Sequence, residues 1–209
     1  MKLNHEKTKA AKYDFQPNLT LQDGSQLQVV DEIRLVGVQI RADLSWSSNT
    51  TAICQAAYSR LWMLRRLKPL GASESELLDV YDKQIRCMVE FCTPVWTSGL
   101  TKAEENQIER IQKAAFSIIL DRRYISYARA LTYFKRTTLS RRTELNLKFA
   151  KKCLSSEKYQ QWFCLNKPSD QLYKTRSIDT NRLVPVEART KGFLKSPIAY
   201  LTRLINEEQ

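Results

Sequence analysis

The chain is poor both in residues that break helices and in residues that perform chemistry. Among 209 residues there are five glycines and six prolines, and there is no low-complexity tract and no repeat of fixed period. Breaks in regular structure are therefore expected to be few and confined to the regions near the two ends. No run approaches the roughly 18 apolar residues that a membrane-spanning helix needs, and the first residues lack the apolar stretch of a signal peptide. A soluble, intracellular protein with no membrane partner is the expectation. The chain has one histidine, His5, and no C-x-x-C pair, which argues against a zinc site. Five cysteines, Cys54, Cys87, Cys92, Cys153 and Cys164, are odd in number, widely spaced and set mostly among apolar residues, so they read as reduced core residues. No G-x-S-x-G elbow, P-loop or Rossmann glycine pattern occurs. No Asp-Asp pair occurs either, and such a pair is the usual mark of two-metal phosphoryl chemistry. Catalysis by this chain alone is not expected, and no cofactor is implied.

What is present is apolar mass and an uneven charge. Apolar residues make up 43% of the chain, enough to build a core. The net charge of +12 is concentrated: residues 74 to 109 sum to −5, and residues 110 to 152, with 12 basic and two acidic side chains, sum to +10. Nucleic acid is the obvious polyanionic partner for such a block.

Strand signals are confined to the first fifty residues. In "LQVVDEIRLVGVQI", Val36, Val38 and Ile40 alternate with Gly37 and Gln39 at the two-residue period of a strand, and Asp23-Gly24 supplies a hairpin turn before it. From there to about residue 163 the apolar period is helical. Ile53, Ala57, Leu61, Leu64 and Leu67 share one face of a first helix that Pro69 and Gly71 end. Ser73 with Glu76, and Thr101 with Glu104, form capping boxes at the starts of the second and third helices. A short helix over "SYARALTYF" and a fifth from about 139 to 155, burying Leu145, Phe149 and Cys153, complete a bundle. The remainder looks extended until a terminal helix at "SPIAYLTRLINE", where Pro197 suits the first turn. The fold class expected is mainly α: a small N-terminal hairpin or strand region (1–47), a helical bundle (48–163), and an irregular C-terminal tail with a short helix (164–209).

Glu74, Glu76, Asp79 and Asp82 have the look of a metal cluster. The first two, however, suit the positive end of a helix dipole, and the others continue along its solvent side. The four tryptophans, Trp46, Trp62, Trp96 and Trp162, read as packing anchors. Within the basic block, the doublets Arg122-Arg123, Lys135-Arg136 and Arg141-Arg142 fall at helix ends or loops, where side chains can converge on a phosphate backbone, and Lys151-Lys152 adds to the same charge. Interleaved aromatics can stack on unpaired bases.

Five segments in order, "MKLNHEKTK", "RLVGVQIRADLSWSSN", "AYSRLWMLRRLKPLG", "LLDVYDKQIRCMVEFCTPVWTSGLTKAEENQIERIQKAAFSIIL" and "RTKGFLKSPIAYLTRLIN", resemble the carboxy-terminal part of non-LTR (LINE-type) retrotransposon reverse transcriptases. The resemblance implies that Lys7 matches the lysine of the last palm motif and that "LVGV" is the hairpin of the primer grip, where Gly37 allows close approach to the primer strand. The grip departs from the family's usual aromatic-Leu-Gly, with Leu35 and Val36 before the glycine. The helices after Trp46 would be the thumb, which holds template–primer duplex by its backbone. Taken together, the basic block and the resemblance place the expected nucleic-acid contacts at Gly37, Val38, Arg65, Arg66, Arg122, Arg123, Lys135, Arg136, Arg141, Arg142, Lys151 and Lys152. The expected ligand is RNA, or an RNA–DNA or DNA duplex. The palm's aromatic-x-Asp-Asp motif, whose aspartates hold magnesium in the family, is missing. Met1 is accordingly expected to be an internal methionine of a longer polymerase whose palm and fingers would be partners. A second class of function, a helical interaction module or domesticated adapter that self-associates through surface left by the palm, is the alternative.

Overall fold

The computed structural model describes residues 9–11, 28–139, 143–163, 183–185, 187 and 190–208. Lys7, the Asp23-Gly24 turn, Arg141, Arg142 and Cys164 lie outside them. The fold is mainly α with a small sheet region at the N-terminal end. Strands β1 (Lys9–Ala11) and β2 (Gln28–Val30) pair in parallel. Strands β3 (Glu32–Leu35) and β4 (Val38–Arg41) form an antiparallel hairpin in which Leu35 faces Val38 and Ile33 faces Ile40. Val36 does not continue the strand, as its alternation with Val38 suggested. Val36 and Gly37 are the two-residue turn, with φ of 47° and 88°. Positive φ at both positions is the type I′ arrangement, whose twist matches that of the strands, and here only the second position is a glycine.

Helix α1 (Ser47–Leu67) follows and ends where Lys68-Pro69-Leu70 tightens and Gly71 takes a left-handed φ of 91°. Ser73 and Glu76 form the capping box of α2 (Glu74–Val80), which passes into a π-helical turn, Tyr81–Arg86, and α3 (Cys87–Val89). The wide turn keeps Tyr81 and Ile85 in the core while Asp82 reaches outward to Arg136. Short α4 (Thr93–Trp96) leads to α5 (Lys102–Leu120), started by the Thr101–Glu104 box, and then α6 (Tyr127–Tyr133). The Lys68 ammonium donates to the carbonyls of Ile118 (2.6 Å) and Ile119 (3.0 Å), so the end of α1 caps the last turn of α5.

The main core packs α1 on α5, with Trp96, Tyr81, Phe116, Leu61 and Leu64 fully enclosed. Through it runs a polar chain. Tyr81 donates to Gln112 Oε1 (2.8 Å), and Gln112 Nε2 donates to Tyr127 (2.8 Å) and to the Thr137 carbonyl (3.0 Å). Tyr127 in turn donates to Glu109. Burial first, and then the Glu109 carboxylate, push the Tyr127 hydroxyl far above its ordinary value.

A second core joins α7 (Thr143–Leu154), α8 (Glu157–Gln160) and α10 (Pro197–Glu208) around Ala150, Cys153, Phe163 and Leu204, with the short α9 (Lys191–Leu194) just before α10. The Asn206 amide clamps the backbone of Leu183 in both directions at 3.0 Å. Asn146 Nδ2 reaches Thr97 at 2.9 Å and ties this cluster to α4 and its following turn. Helix α7 buries Asn146, Ala150 and Cys153, whereas Leu145 and Phe149, expected inside, are each 41% exposed. The inward stripe is set by contact with α10 and α4, which selects the small residues and the hydrogen-bonding Asn146 over the bulkier apolar neighbours.

Gly99 marks the join of sheet region and bundle. A Cβ there would fall under 3.0 Å from two atoms of the Trp46 indole, so Trp46 packs where only glycine leaves room. Gly99→Ala is expected to cost about 1–3 kcal/mol by overpacking, read as a lower urea midpoint at unchanged slope. An unchanged midpoint would show that the indole has somewhere else to go.

Candidate nucleic-acid interface

Charge that looks like one basic block in sequence is divided by the fold. The acidic segment packs against the basic one, and two of its carboxylates take partners there. Glu74 accepts from Arg123 and also from the Tyr133 hydroxyl (2.9 Å), and Asp82 accepts from Arg136. Each of these two doublets therefore has one member turned to an acid and one, Arg122 or Lys135, left exposed without an ion pair among the described residues. Lys151 is paired with Glu208 (2.7 Å), while Lys152 is exposed. Glu76 is occupied by its own cap, whose Ser73 hydrogen bonds hold the carboxyl below its ordinary value. The helix-dipole reading of the acidic cluster holds for Glu74 and Glu76, which stand in the first turn of α2. Its solvent-side reading does not extend to Asp82.

The outer face of α1 is different. Tyr58, Trp62, Arg65 and Arg66 stand at spacings of four, three and one, which puts all four within about a third of the helix circumference. All four are exposed, and Trp62, expected as a packing anchor, is 55% exposed. Neither arginine has an ion pair among the described residues. Burial first, and then Cys54, raise the Tyr58 phenol above its ordinary value, and Arg110 of α5 pulls it partly back. Trp162 is likewise largely exposed, against the ring of Tyr159 (4.9 Å between centroids), and only Trp96 is fully enclosed. The sequence signal for this face was the gap between Leu61 and Leu64 on the buried stripe. An aromatic at 62 falls off that stripe, and its size masked its position.

At the hairpin, Val38 is 6% exposed and belongs to the main core, while Val36 stands out at the tip at 79%. Gly37 sits beside the Phe91 ring, where a Cβ would meet Cε1 at 3.4 Å. Gly37 is thus a turn residue and Val38 a core residue, unlike the exposed arginines.

Among the described residues no group of three or more histidine, cysteine or carboxylate side chains could hold a metal ion. No helix among them is long and apolar enough to cross a membrane. The chain matches no protein-family model, no curated protein and no solved structure, so the resemblance rests on the sequence motifs alone.

If the ion pairs are internal charge compensation, Arg123→Ala and Arg136→Ala should each change affinity for an RNA–DNA hybrid less than about twofold, since an arginine already held by a carboxylate neutralises no phosphate. Anisotropy titration of a labelled hybrid checks this, and a loss as large as that of an Arg65 variant would place the interface on α5 and α6.

Proposed function

We propose that this chain is a thumb-type nucleic-acid-binding piece of a non-LTR reverse transcriptase, without catalytic activity of its own. It holds template–primer or single strands through the sugar-phosphate backbone. The observation that carries this reading is the outer face of α1, where two arginines with no ion pair among the described residues stand beside two exposed aromatic rings. Guanidinium groups release counterions from phosphates, and exposed rings stack on unpaired bases or lie on sugars without demanding a sequence. The order of motifs along the chain supports the same assignment.

The experiment is an anisotropy titration of labelled RNA–DNA hybrid, single-stranded RNA and duplex DNA at several salt concentrations. Binding that falls steeply with salt and favours the hybrid is the expected result. No binding at low salt would remove this reading.

A second reading, an interaction module that self-associates, draws on the apolar hairpin tip, where Leu35, Val36 and Phe91 are exposed. Its mark is association that rises with protein concentration and is indifferent to salt, measured by sedimentation.

A further inference from the structure

The exposed face of α1 has an order along the helix as well as a composition. Tyr58 and Trp62 come first, one turn apart, and Arg65 and Arg66 follow in the last turn. The rings therefore occupy the N-terminal part of the stripe and the guanidinium groups its C-terminal part. The enclosed apolar stripe of α1 is Cys54, Ala57, Leu61 and Leu64, so packing does not call for an indole at position 62.

Duplex phosphates can meet the arginines from outside, but the bases of a duplex offer little to the rings. They are covered by their own stack, and their faces become free only where the strand is unpaired. The spacing of the rings points the same way. Four residues of helix rise place Tyr58 and Trp62 about 6 Å apart along the axis. Stacked nucleotides of one strand follow one another at about 3.4 Å. Two neighbouring bases can lie on both rings only after the strand has unstacked and extended.

We propose that this stripe holds the unpaired template strand where it leaves the RNA–DNA hybrid, with neighbouring bases stacked on Trp62 and Tyr58 and the phosphates beside the duplex on Arg65 and Arg66. This placement rests on the thumb reading above and specifies the form of nucleic acid that the α1 face takes. Stacking of this kind is tolerant of sequence, so any unpaired RNA serves.

The test compares three labelled ligands on the full chain by anisotropy: a blunt RNA–DNA hybrid, the same hybrid with a short unpaired RNA extension, and the same again with abasic residues in the extension. The abasic ligand keeps every phosphate and loses only the bases, so it separates stacking from charge. The base-bearing extension is expected to bind about tenfold more tightly than the abasic one, the size of a base stacked on an aromatic ring. That preference should disappear in Trp62→Ala and be largely kept in Trp62→Phe, whereas Arg65→Ala should weaken all three ligands alike. Hybrid binding with equal affinity for the abasic and base-bearing extensions overturns the stacking proposal and leaves the thumb reading in place. A preference that Trp62→Ala does not change also overturns it, since the bases then stack elsewhere. Absence of binding by all three ligands at low salt removes both.

Discussion

Replacing Trp62, Arg65 and Arg66 together with alanine is expected to weaken hybrid binding about 100-fold at low salt while leaving the melting temperature near that of the parent chain. The size follows from the parts. Stacking on an aromatic contributes about 1–3 kcal/mol per base, and each phosphate neutralised adds roughly 0.9 to the slope of log affinity against log salt. Losing two arginines should lower that slope by about 2, which distinguishes lost phosphate contacts from a general loss of fold. Stability should hold because all three side chains are on the solvent side of α1, away from Leu61 and Leu64, and none makes an ion pair among the described residues. Trp62→Ala alone should lower affinity with the salt slope kept. If the triple variant binds as the parent does, the exposed face of α1 is a solvated helix surface and nothing more.

Phe116→Ala is expected to give the largest loss of stability, about 3–5 kcal/mol, because the ring is fully buried and its removal leaves a cavity that the surrounding helices cannot close. The site is unusually aromatic. The Phe116 ring lies 4.9 Å from Phe134, 5.5 Å from Tyr81 and 6.2 Å from Tyr127, centroid to centroid. Aromatic pairs in such arrangements add about 0.5–1.5 kcal/mol beyond area burial. Against a typical total of roughly 5–15 kcal/mol, the variant should be near the edge of folding at 37 °C. Urea unfolding followed by circular dichroism would measure it. A midpoint within error of the parent would mean that Tyr81 and Phe134 close over the gap. The milder Tyr81→Phe removes the hydroxyl that donates to Gln112 and should cost about 1 kcal/mol, since it leaves a buried acceptor short of its partner.

The acid side of the pH profile follows from Glu76. Its folded value is depressed by the Ser73 hydrogen bonds, so its contribution to α2 is present above the ordinary carboxylate value near 4.5 and is lost as pH falls through the depressed one. Fraying of α2 should therefore begin only in acid.

Much of the architecture was legible because it depends on local physics. The two capping boxes pair residues three apart, and both form as the spacing of Ser73 with Glu76 and Thr101 with Glu104 requires. The stripe of Ala57, Leu61 and Leu64 is buried because one face of a helix is decided by period alone. Val36 fits the strand pattern by its alternation with Val38, and it yields its place to the turn only when Leu35 pairs with Val38. Long-range choices were not legible. Nothing near Leu145 or Phe149 in the chain says that α10 and α4 will cover the neighbouring face, and nothing near Arg123 or Arg136 says that Glu74 and Asp82 lie opposite.

The amino-acid sequence by itself determined the helices, their caps, the mainly α class and the total charge, because propensity, period and composition act over a few residues or over all of them at once. The tertiary structure alone decided which of the described charges are held in ion pairs, that Trp62 faces solvent while Trp96 is enclosed, and that Asp82 lies opposite Arg136. Those outcomes depend on residues dozens of positions apart being brought within hydrogen-bond distance, and no local rule carries that information.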